Sequence, residues 1–214
     1  MKGKYKTEQE GFWAGDFGNS YVDRNNDPRN IARNTSLFSK ILERTYGVSH
    51  ILELGANIGQ NILAIKNLIP DAVFSAVEIN DKAADLLENI PNTKVMRGSI
   101  LHFTPAELGQ HDLTMTCGVL IHINQRHLKD VYTLLYECSK SWILLNEYYN
   151  PTPVEVVYRG HAKRLFKRDF AGEMLDKYPD LKLIDYGFQY SRDNIFPADD
   201  STWFLMKKAN PMKA

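Results

Sequence analysis

The sequence predicts an α/β fold built around a mostly parallel, seven-stranded sheet. Between residues 30 and 145, short apolar segments alternate with segments of helical periodicity, which is typical of parallel strands joined by helices. Residues 142–145 are apolar at every position, as expected of a strand buried on both faces. Two later apolar segments, residues 181–186 and 202–206, have no clear helix between them. We therefore expect an antiparallel hairpin at one edge of the sheet.

The individual elements can be assigned in order along the chain. The expected strands are residues 50–54, 73–77, a segment beginning at 95, 112–116, 142–145, 181–186 and 202–206. The expected helices run from 30 to about 46, from a glycine turn at 55–59 through 68, from 81 to about 89, and from about 125 to 138. Asp81 is the expected N-cap of the third of these helices.

We expect one domain, because the chain is long enough for a single core. Its expected parts are an N-terminal lid and helix (1–46), a ligand-binding core (47–150), and an insertion with the C-terminal hairpin (151–214). The first 30 residues are polar but carry aromatic side chains more densely than a disordered tail would. These are Phe12, Trp13, Phe17 and Tyr21. They predict an ordered helical lid.

Charge and cysteine content narrow the classes of function. The 26 basic and 26 acidic residues cancel, so net charge does not draw the molecule to nucleic acid or to an anionic membrane. Cys117 and Cys138 lie in apolar segments and are expected to be free thiols in a reducing cytoplasm. No apolar run reaches the ~18 residues of a membrane span, and the polar N-terminal segment does not predict a signal peptide. We expect a monomer or homodimer.

A glycine turn after the first strand predicts a nucleotide-like ligand. Gly55 and Gly59 follow that strand, where glycine allows a sharp turn and lets a ligand approach the backbone at the start of the next helix. Glu78 lies 19 residues after Gly59, at the end of the second strand. In a doubly wound sheet its carboxylate reaches the turn, where it can accept hydrogen bonds from both ribose hydroxyls.

Two cofactor classes use such a turn, and the side chains within it favour one of them. The nicotinamide pattern G-x-G-x-x-G keeps only its first glycine here, since Asn57 and Gln60 occupy the other two positions. The pattern acidic-x-G-x-(G/N)-x-G fits Glu53, Gly55, Asn57 and Gly59 and is similar to that of class I methyltransferases. This resemblance implies S-adenosylmethionine as the cofactor. A nicotinamide-dependent oxidoreductase and a non-catalytic binding protein on the same scaffold remain alternatives.

The same resemblance assigns further residues to the cofactor. The loop after the third strand is expected to contact adenine, with Ser99 at a position where methyltransferases often carry an acid. The segment 112–123 resembles the fourth-strand region that faces the methyl group. Arg24 is the expected partner of the cofactor's carboxylate, because guanidinium binds carboxylates bidentately. The remaining expected cofactor residues are Trp13, Asn61, Ile79, Gly98, Ile100, Cys117, Gly118 and Val119.

A more specific resemblance covers nearly the whole chain. The segment 11–25 (GFWAGDFGNSYVDRN) resembles the opening of the pseudaminic acid biosynthesis-associated methylases, and the segments 51–61, 118–123 and 146–150 agree with it. The resemblance implies methyl transfer to oxygen or nitrogen of a small, acidic, sugar-like acceptor, such as a nonulosonic acid or its nucleotide conjugate.

Three residues are candidates for catalysis: Tyr21, His122 and Glu147. Neutral imidazole suits proton removal near pH 7, so His122 is expected either to act as a base or to orient the acceptor. Glu147 is either a base near the methyl group or a structural carboxylate. Histidines, cysteines and acids do not occur at metal-ligand spacing, so no metal site is expected.

The acceptor is expected to bind after the fifth strand, where open α/β sheets hold their ligands. The candidates there are Tyr148, Tyr149, Arg159 and Arg164. Arg159, Lys163 and Lys167 are spaced four apart and would share one face of a helix. That face either attracts an acidic acceptor or is simply solvated.

Overall fold

The computed structural model describes residues 5–209; residues 1–4 and 210–214, which belong to the expected single domain, lie outside that range. The helices are α1 (Glu8–Ala14), α2 (Asp16–Arg24), α3 (Arg29–Leu42), α4 (Gln60–Lys66), α5 (Asp81–Leu87), α6 (Pro105–Leu108), α7 (Leu128–Glu137) and α8 (Phe170–Lys177). The strands are β1 (His50–Leu54), β2 (Val73–Glu78), β3 (Thr93–Arg97), β4 (His111–Cys117), β5 (Ser139–Glu147), β6 (Val154–Tyr158), β7 (His161–Lys167), β8 (Leu181–Phe188) and β9 (Thr202–Lys208).

Seven strands form one sheet in the order β3-β2-β1-β4-β5-β9-β8. Strands β1 to β5 pair in parallel, whereas β9 pairs antiparallel with β5 on one side and with β8 on the other. The predicted mostly parallel sheet with an antiparallel C-terminal hairpin is confirmed. The reversed strand between β5 and β8 distinguishes this sheet from the all-parallel order of dinucleotide-binding folds.

Alternate residues of the strands supply two separate cores, one on each face of the sheet. Ile51 and Leu144 pack with α3, α4 and α5, whereas Leu52 and Ile143 pack with α7 and α8. This alternation follows from the two-residue period of a strand. Because helices cover both faces, the central strands are buried along most of their length, and residues 142–145 of β5 are apolar and buried, as the sequence indicates.

The segment after β5 differs from the prediction. Residues 154–167 form a separate antiparallel hairpin, β6–β7, instead of a helix. Arg159 lies in its turn and Lys163 and Lys167 on β7, so the expected helical face of Arg159, Lys163 and Lys167 is wrong. Arg159 and Lys163 have positive φ angles of 50° and 58°, which a helix cannot contain. The pairing of this hairpin is irregular, with a shift of register between Val156 and Tyr158.

Helix boundaries also differ in detail from the sequence-based assignment. The N-cap of α5 is Asn80, whose side chain accepts a hydrogen bond from the backbone N–H of Ala83, and Asp81 is the first helical residue. Cys138 is buried, Cys117 is half-buried, and both are free. Among the described residues, no helix is long and apolar enough to span a membrane.

The predicted lid consists of α1 and α2, which pack against the β6–β7 hairpin through aromatic rings. Phe12 stacks on Phe17 with ring centroids 4.0 Å apart. Both rings contact His161, at 5.0 and 5.7 Å, and Phe17 also lies 5.8 Å from Tyr158. The hairpin missed by the sequence analysis therefore forms the surface on which the lid rests.

We predict that Gly59→Ala destabilises the fold through packing as well as backbone strain. Gly59 has a φ of +79°, and a Cβ there would lie 2.3 Å from Cδ1 of Ile90. Gly47→Ala is the control, because Gly47 has a φ of +66° but open space around its Cβ. The free energy of unfolding in urea should fall by about 1–3 kcal/mol more for Gly59→Ala than for Gly47→Ala. Equal losses in both variants would refute the packing argument.

Candidate functional site

A cavity of about 590 Å³ opens at the carboxyl ends of the parallel strands. Gly55 follows β1, Ile79 follows β2, Gly118 follows β4 and Tyr148 follows β5, and all four line the cavity. Its volume is within the range of ~300–1,000 Å³ that is common for sites binding small molecules. The cavity is therefore located where open α/β sheets bind ligands.

The glycine turn forms one wall of this cavity. Gly55 has a φ of +78°, and a Cβ on it would lie 2.6 Å from Cγ2 of Val119. Asn57 follows in the left-handed conformation with a φ of 48°, which asparagine tolerates better than most residues. Gly59 does not line the cavity. Glycine is required at this position by the positive φ and because a Cβ would clash with Ile90. The structure therefore gives Gly59 a packing role and leaves Gly55 and Asn57 on the cavity wall.

Glu78 is buried beside this turn and bonds to backbone on two sides. Its Oε2 accepts a hydrogen bond of 2.7 Å from the N–H of Asn57, and its Oε1 accepts one of 2.8 Å from the N–H of Asn80. Burial raises the pKa of the Glu78 carboxyl, and these backbone hydrogen bonds partly offset that rise. Each oxygen keeps acceptor capacity for a ligand. Glu78 lines the cavity, as the sequence analysis expects.

A chain of hydrogen bonds connects the glycine turn to helix α3. Arg33 Nε donates to Asn34 Oδ1 (3.1 Å), Asn34 Nδ2 donates to Asn61 Oδ1 (2.8 Å), and Asn61 Nδ2 donates to Glu53 Oε1 (2.7 Å). Glu53 is fully buried and does not line the cavity, and its Oε2 has no hydrogen-bond partner in the described chain. Burial raises the pKa of Glu53 to about 8. Glu53 is thus connected to the cavity wall only through Asn61, which does not support the expected direct contact with a cofactor.

The sequence analysis missed Arg33 and Asn34, both of which line the cavity. A signal for Asn34 was available, because it shares the apolar face of the predicted helix with Ile31, Phe38 and Ile41 at spacings of three, four and seven residues. A polar side chain on a buried helix face needs a hydrogen-bond partner.

Arg24 and Tyr21 extend from α2 over the cavity. The Arg24 guanidinium lies 4.9 Å from the ring centroid of Phe17 and 5.2 Å from that of Tyr21. Burial raises the pKa of Tyr21 to about 12. The Tyr21 hydroxyl therefore keeps its proton at neutral pH and can donate a hydrogen bond, but it is not a base.

His122 is buried in the lid-facing wall. Its Nδ1 lies 2.5 Å from the carbonyl oxygen of Arg164, which requires that Nδ1 carries the proton. The other nitrogen, Nε2, then has a free lone pair. Burial lowers the pKa of His122 to about 4. The ring lies 4.6 Å from Trp13 and 5.1 Å from Tyr158, so it is neutral at physiological pH and enclosed by aromatic groups.

Glu147 does not line the cavity, which corrects its candidacy as a base. Its Oε1 accepts hydrogen bonds from the N–H groups of Val119 (3.0 Å) and Leu120 (3.1 Å), and its Oε2 accepts one from Ile121 (3.4 Å). Burial raises the pKa of Glu147 to about 7. The carboxylate satisfies the first N–H groups of the 3₁₀ turn that carries His122, so its role is structural.

The expected site residues divide into two groups. The structure brings together, around the cavity, Trp13, Tyr21, Arg24, Gly55, Asn57, Asn61, Glu78, Ile79, Ser99, Ile100, Cys117, Gly118, Val119, His122, Tyr148 and Arg159. It leaves Glu53, Gly59, Gly98, Glu147, Tyr149 and Arg164 outside the lining. Tyr149 is exposed against Phe204, and the guanidinium of Arg164 pairs with Glu8 at 3.4 Å. In residues 5–209, no group of three or more histidine, cysteine or acidic side chains is arranged to hold a metal ion.

Comparison with known proteins finds similarity in structure but not in sequence. No protein-family model matches the chain, and no curated protein matches it. Among solved structures, the 1,6-didemethyltoxoflavin-N1-methyltransferase of Burkholderia thailandensis, with S-adenosylhomocysteine bound, has a TM-score of 0.68 at 12% identity, covering 98% of this chain and 94% of that chain. The plantazolicin methyltransferase BpumL in complex with SAH has a TM-score of 0.64 at 13% identity, covering 94% of both chains.

A third similar structure is the N-terminal domain of EvdMO1 in the presence of SAH and D-fucose. Its TM-score is 0.57 at 14% identity, and the match covers 82% of both chains. The chain has the methyltransferase fold. At these identities the similarity demonstrates the fold, while the function depends on the site.

We predict that His122 makes stability depend on pH below neutrality. Its pKa of about 4 in the folded state is lower than the usual 6.5, so between these values the unfolded chain binds more protons. His122 therefore removes up to about 3 kcal/mol of stability as the pH falls from 7 to 4. In His122→Asn, whose Nδ2 can still donate to the Arg164 carbonyl, this loss should be absent.

The measurement is the free energy of unfolding of both proteins at several pH values. The difference in free energy of unfolding between the wild type and His122→Asn should decrease as the pH falls toward 4. Parallel pH curves would show that His122 is not held neutral in the folded protein.

Proposed function

We propose that this protein is an S-adenosylmethionine-dependent methyltransferase. The observation that carries the proposal is the Glu78 carboxylate, held beside the Gly55 turn on the wall of a cavity at the carboxyl ends of the strands. Structures of the same fold support it, since their bound ligands are SAH, S-adenosyl-L-methionine or sinefungin. The reversed strand β9, together with Asn57 and Gln60 in the turn, argues against a nicotinamide cofactor.

The residues present fit this cofactor. Glu78 offers two carboxylate oxygens to ribose hydroxyls, and Ser99 and Ile100 line the part of the cavity expected to hold adenine. Arg24 and Arg33 line the cavity and form no ion pair in the described part of the chain, so either guanidinium is free to bind a carboxylate. When bound, S-adenosylmethionine supplies a methyl group on a positively charged sulfur.

The chain's own residues exclude water and align the acceptor. Trp13 and Tyr158 enclose His122, whose Nε2 lone pair can accept a hydrogen bond from an acceptor N–H or O–H. With a pKa of about 4, His122 is a weak base, so its stronger contribution is orientation. Alignment of two bound reactants is itself worth several kcal/mol in a barrier, roughly 7–11 in favourable cases.

We further propose that the acceptor is a small, acidic, sugar-like molecule, methylated on oxygen or nitrogen. Arg159 lines the cavity, lies 5.9 Å from the ring centroid of Tyr158, and forms no ion pair with any described residue. The similar EvdMO1 domain was crystallised in the presence of D-fucose. The family resemblance adds a nonulosonic acid pathway, and two free cysteines suit a reducing cytoplasm.

We predict that Glu78→Ala and Gly55→Val each abolish cofactor binding. The first variant removes the carboxylate that would accept hydrogen bonds from the ribose hydroxyls. The second places a side chain where even a Cβ lies 2.6 Å from Cγ2 of Val119. Calorimetry with S-adenosylhomocysteine is the measurement, and Glu43→Ala, which alters an exposed carboxylate away from the cavity, is the control. Unchanged affinity in both site variants, or retention of NADH by the wild type, would overturn the proposed function.

For the acceptor, we predict that Arg159→Ala weakens binding of an acidic sugar without affecting the cofactor. With N-acetylneuraminic acid as the probe, KM should rise about tenfold, equivalent to about 1.4 kcal/mol. Arg126→Ala is the control, because Arg126 is exposed and outside this cavity. An unchanged KM for N-acetylneuraminic acid in Arg159→Ala, or a lower wild-type KM for neutral N-acetylmannosamine than for the acid, would argue against an acidic acceptor.

A further inference from the structure

The loop expected to hold adenine lacks an acidic side chain. Ser99 occupies the relevant position after β3 and is only 3% exposed. Its hydroxyl accepts a hydrogen bond of 3.1 Å from the N–H of Leu101, which caps the short 3₁₀ turn Ile100–His102. The side chain of Ser99 is therefore engaged within its own loop and does not supply a carboxylate for a ligand's amino group.

Helix α1 of the lid packs directly over this loop. Lys6 lies just before α1, and its ammonium donates a hydrogen bond to the carbonyl oxygen of Leu101. Glu10 Oε1 lies 3.7 Å from Nε2 of His102, beyond hydrogen-bond distance. Glu10 lines the same cavity as Ser99 and Ile100. The lid therefore places a carboxylate at the part of the cavity where the loop itself has none.

One oxygen of this carboxylate is buried without a hydrogen bond from any described residue, and it lies 3.7 Å from the His102 imidazole, with which it can form an ion pair when that ring is protonated. Glu10 Oε2 accepts hydrogen bonds from the N–H (2.7 Å) and the hydroxyl (2.9 Å) of Thr7, which forms the capping box of α1. Glu10 Oε1 is fully enclosed and forms no hydrogen bond with any residue in the described range. The residue is 6% exposed. An unsatisfied buried acceptor is costly, so this oxygen points to a ligand that donates a hydrogen bond.

We propose that Glu10 Oε1 accepts a hydrogen bond from the 6-amino group of adenine in the cofactor. The lid thus provides the adenine-reading carboxylate that the loop at Ser99 lacks. The inference rests on the proposed function, since it needs an adenine-bearing cofactor in this cavity. It assigns to the lid a direct part in cofactor selection, in addition to covering the site.

The experiment compares S-adenosylhomocysteine with S-inosylhomocysteine, in which a carbonyl oxygen replaces the 6-amino group. Calorimetry gives the two dissociation constants. The wild type should bind the adenosyl compound at least tenfold more tightly, because the inosyl oxygen would face a carboxylate oxygen.

The Glu10→Gln variant should reverse this preference. Glutamine is accepted in a capping box, and its amide oxygen is needed by the Thr7 N–H, so its NH₂ group faces the cavity. That NH₂ group can donate a hydrogen bond to the inosyl oxygen, whereas with the adenosyl amino group two donors would face each other. Glu8→Gln is the control, since Glu8 is on the same helix but 79% exposed and paired with Arg164. It should keep the wild-type ratio.

Each outcome is decisive. A wild type that binds both compounds equally, or a Glu10→Gln variant that is weakened equally for both, overturns the inference and leaves the proposed function standing. Because inosine also carries a hydrogen on N1, the wild-type ratio does not by itself report on Glu10, so if Glu10→Gln melts too low for binding to be measured, Glu10→Ala takes its place and should show a smaller preference for the adenosyl compound than the wild type. A wild type that binds neither compound overturns the proposed function as well.

Discussion

Glu78 is the buried carboxylate on which the loops of the site depend. Its charge-assisted hydrogen bond to the Asn57 N–H offsets the roughly 1 kcal/mol or more that a left-handed, non-glycine residue costs. Its second oxygen holds the N–H of Asn80, which in turn caps α5. The Asn80 amide also donates to the carbonyl of Trp13 (3.2 Å) and to Asn19 (2.9 Å) in the lid. One side chain thus links the glycine turn, α5 and the lid.

The sheet and the glycine turn could be predicted because their signals are local. A buried strand is a short apolar run, and a turn with positive φ selects glycine or asparagine at fixed positions, as at Gly55, Asn57 and Gly59. The β6–β7 hairpin could not be predicted in this way. A spacing of four residues, as between Lys163 and Lys167, places side chains on one face of a strand as well as of a helix, so this spacing does not distinguish the two structures.

The candidate site was harder to predict, because a sequence does not show where a carboxylate points. Glu53, Glu78 and Glu147 all lie at or near strand ends and are all buried. Glu147 accepts hydrogen bonds from three backbone N–H groups and caps the 3₁₀ turn that carries His122. In the described part of the chain, Glu53 accepts a hydrogen bond only from the side-chain amide of Asn61. Of the three, Glu78 is the one that lines the cavity. The difference arises from which loops surround each carboxylate, and that is a property of the assembled fold.

The lid connects the two halves of the cavity. Its aromatic rings rest on Tyr158 and His161 of the β6–β7 hairpin, while Glu10 lines the cavity beside His102, in the loop after β3. A cofactor that bonds to Glu10 therefore stabilises the docked lid by part of its binding free energy. The docked lid is also what holds Trp13 against His122, at 4.6 Å. If the cofactor binds Glu10, one element then carries both that contact and the packing of Trp13 on His122, so ligands at the two ends of the cavity would favour the same position of the lid, and that coupling would be reciprocal.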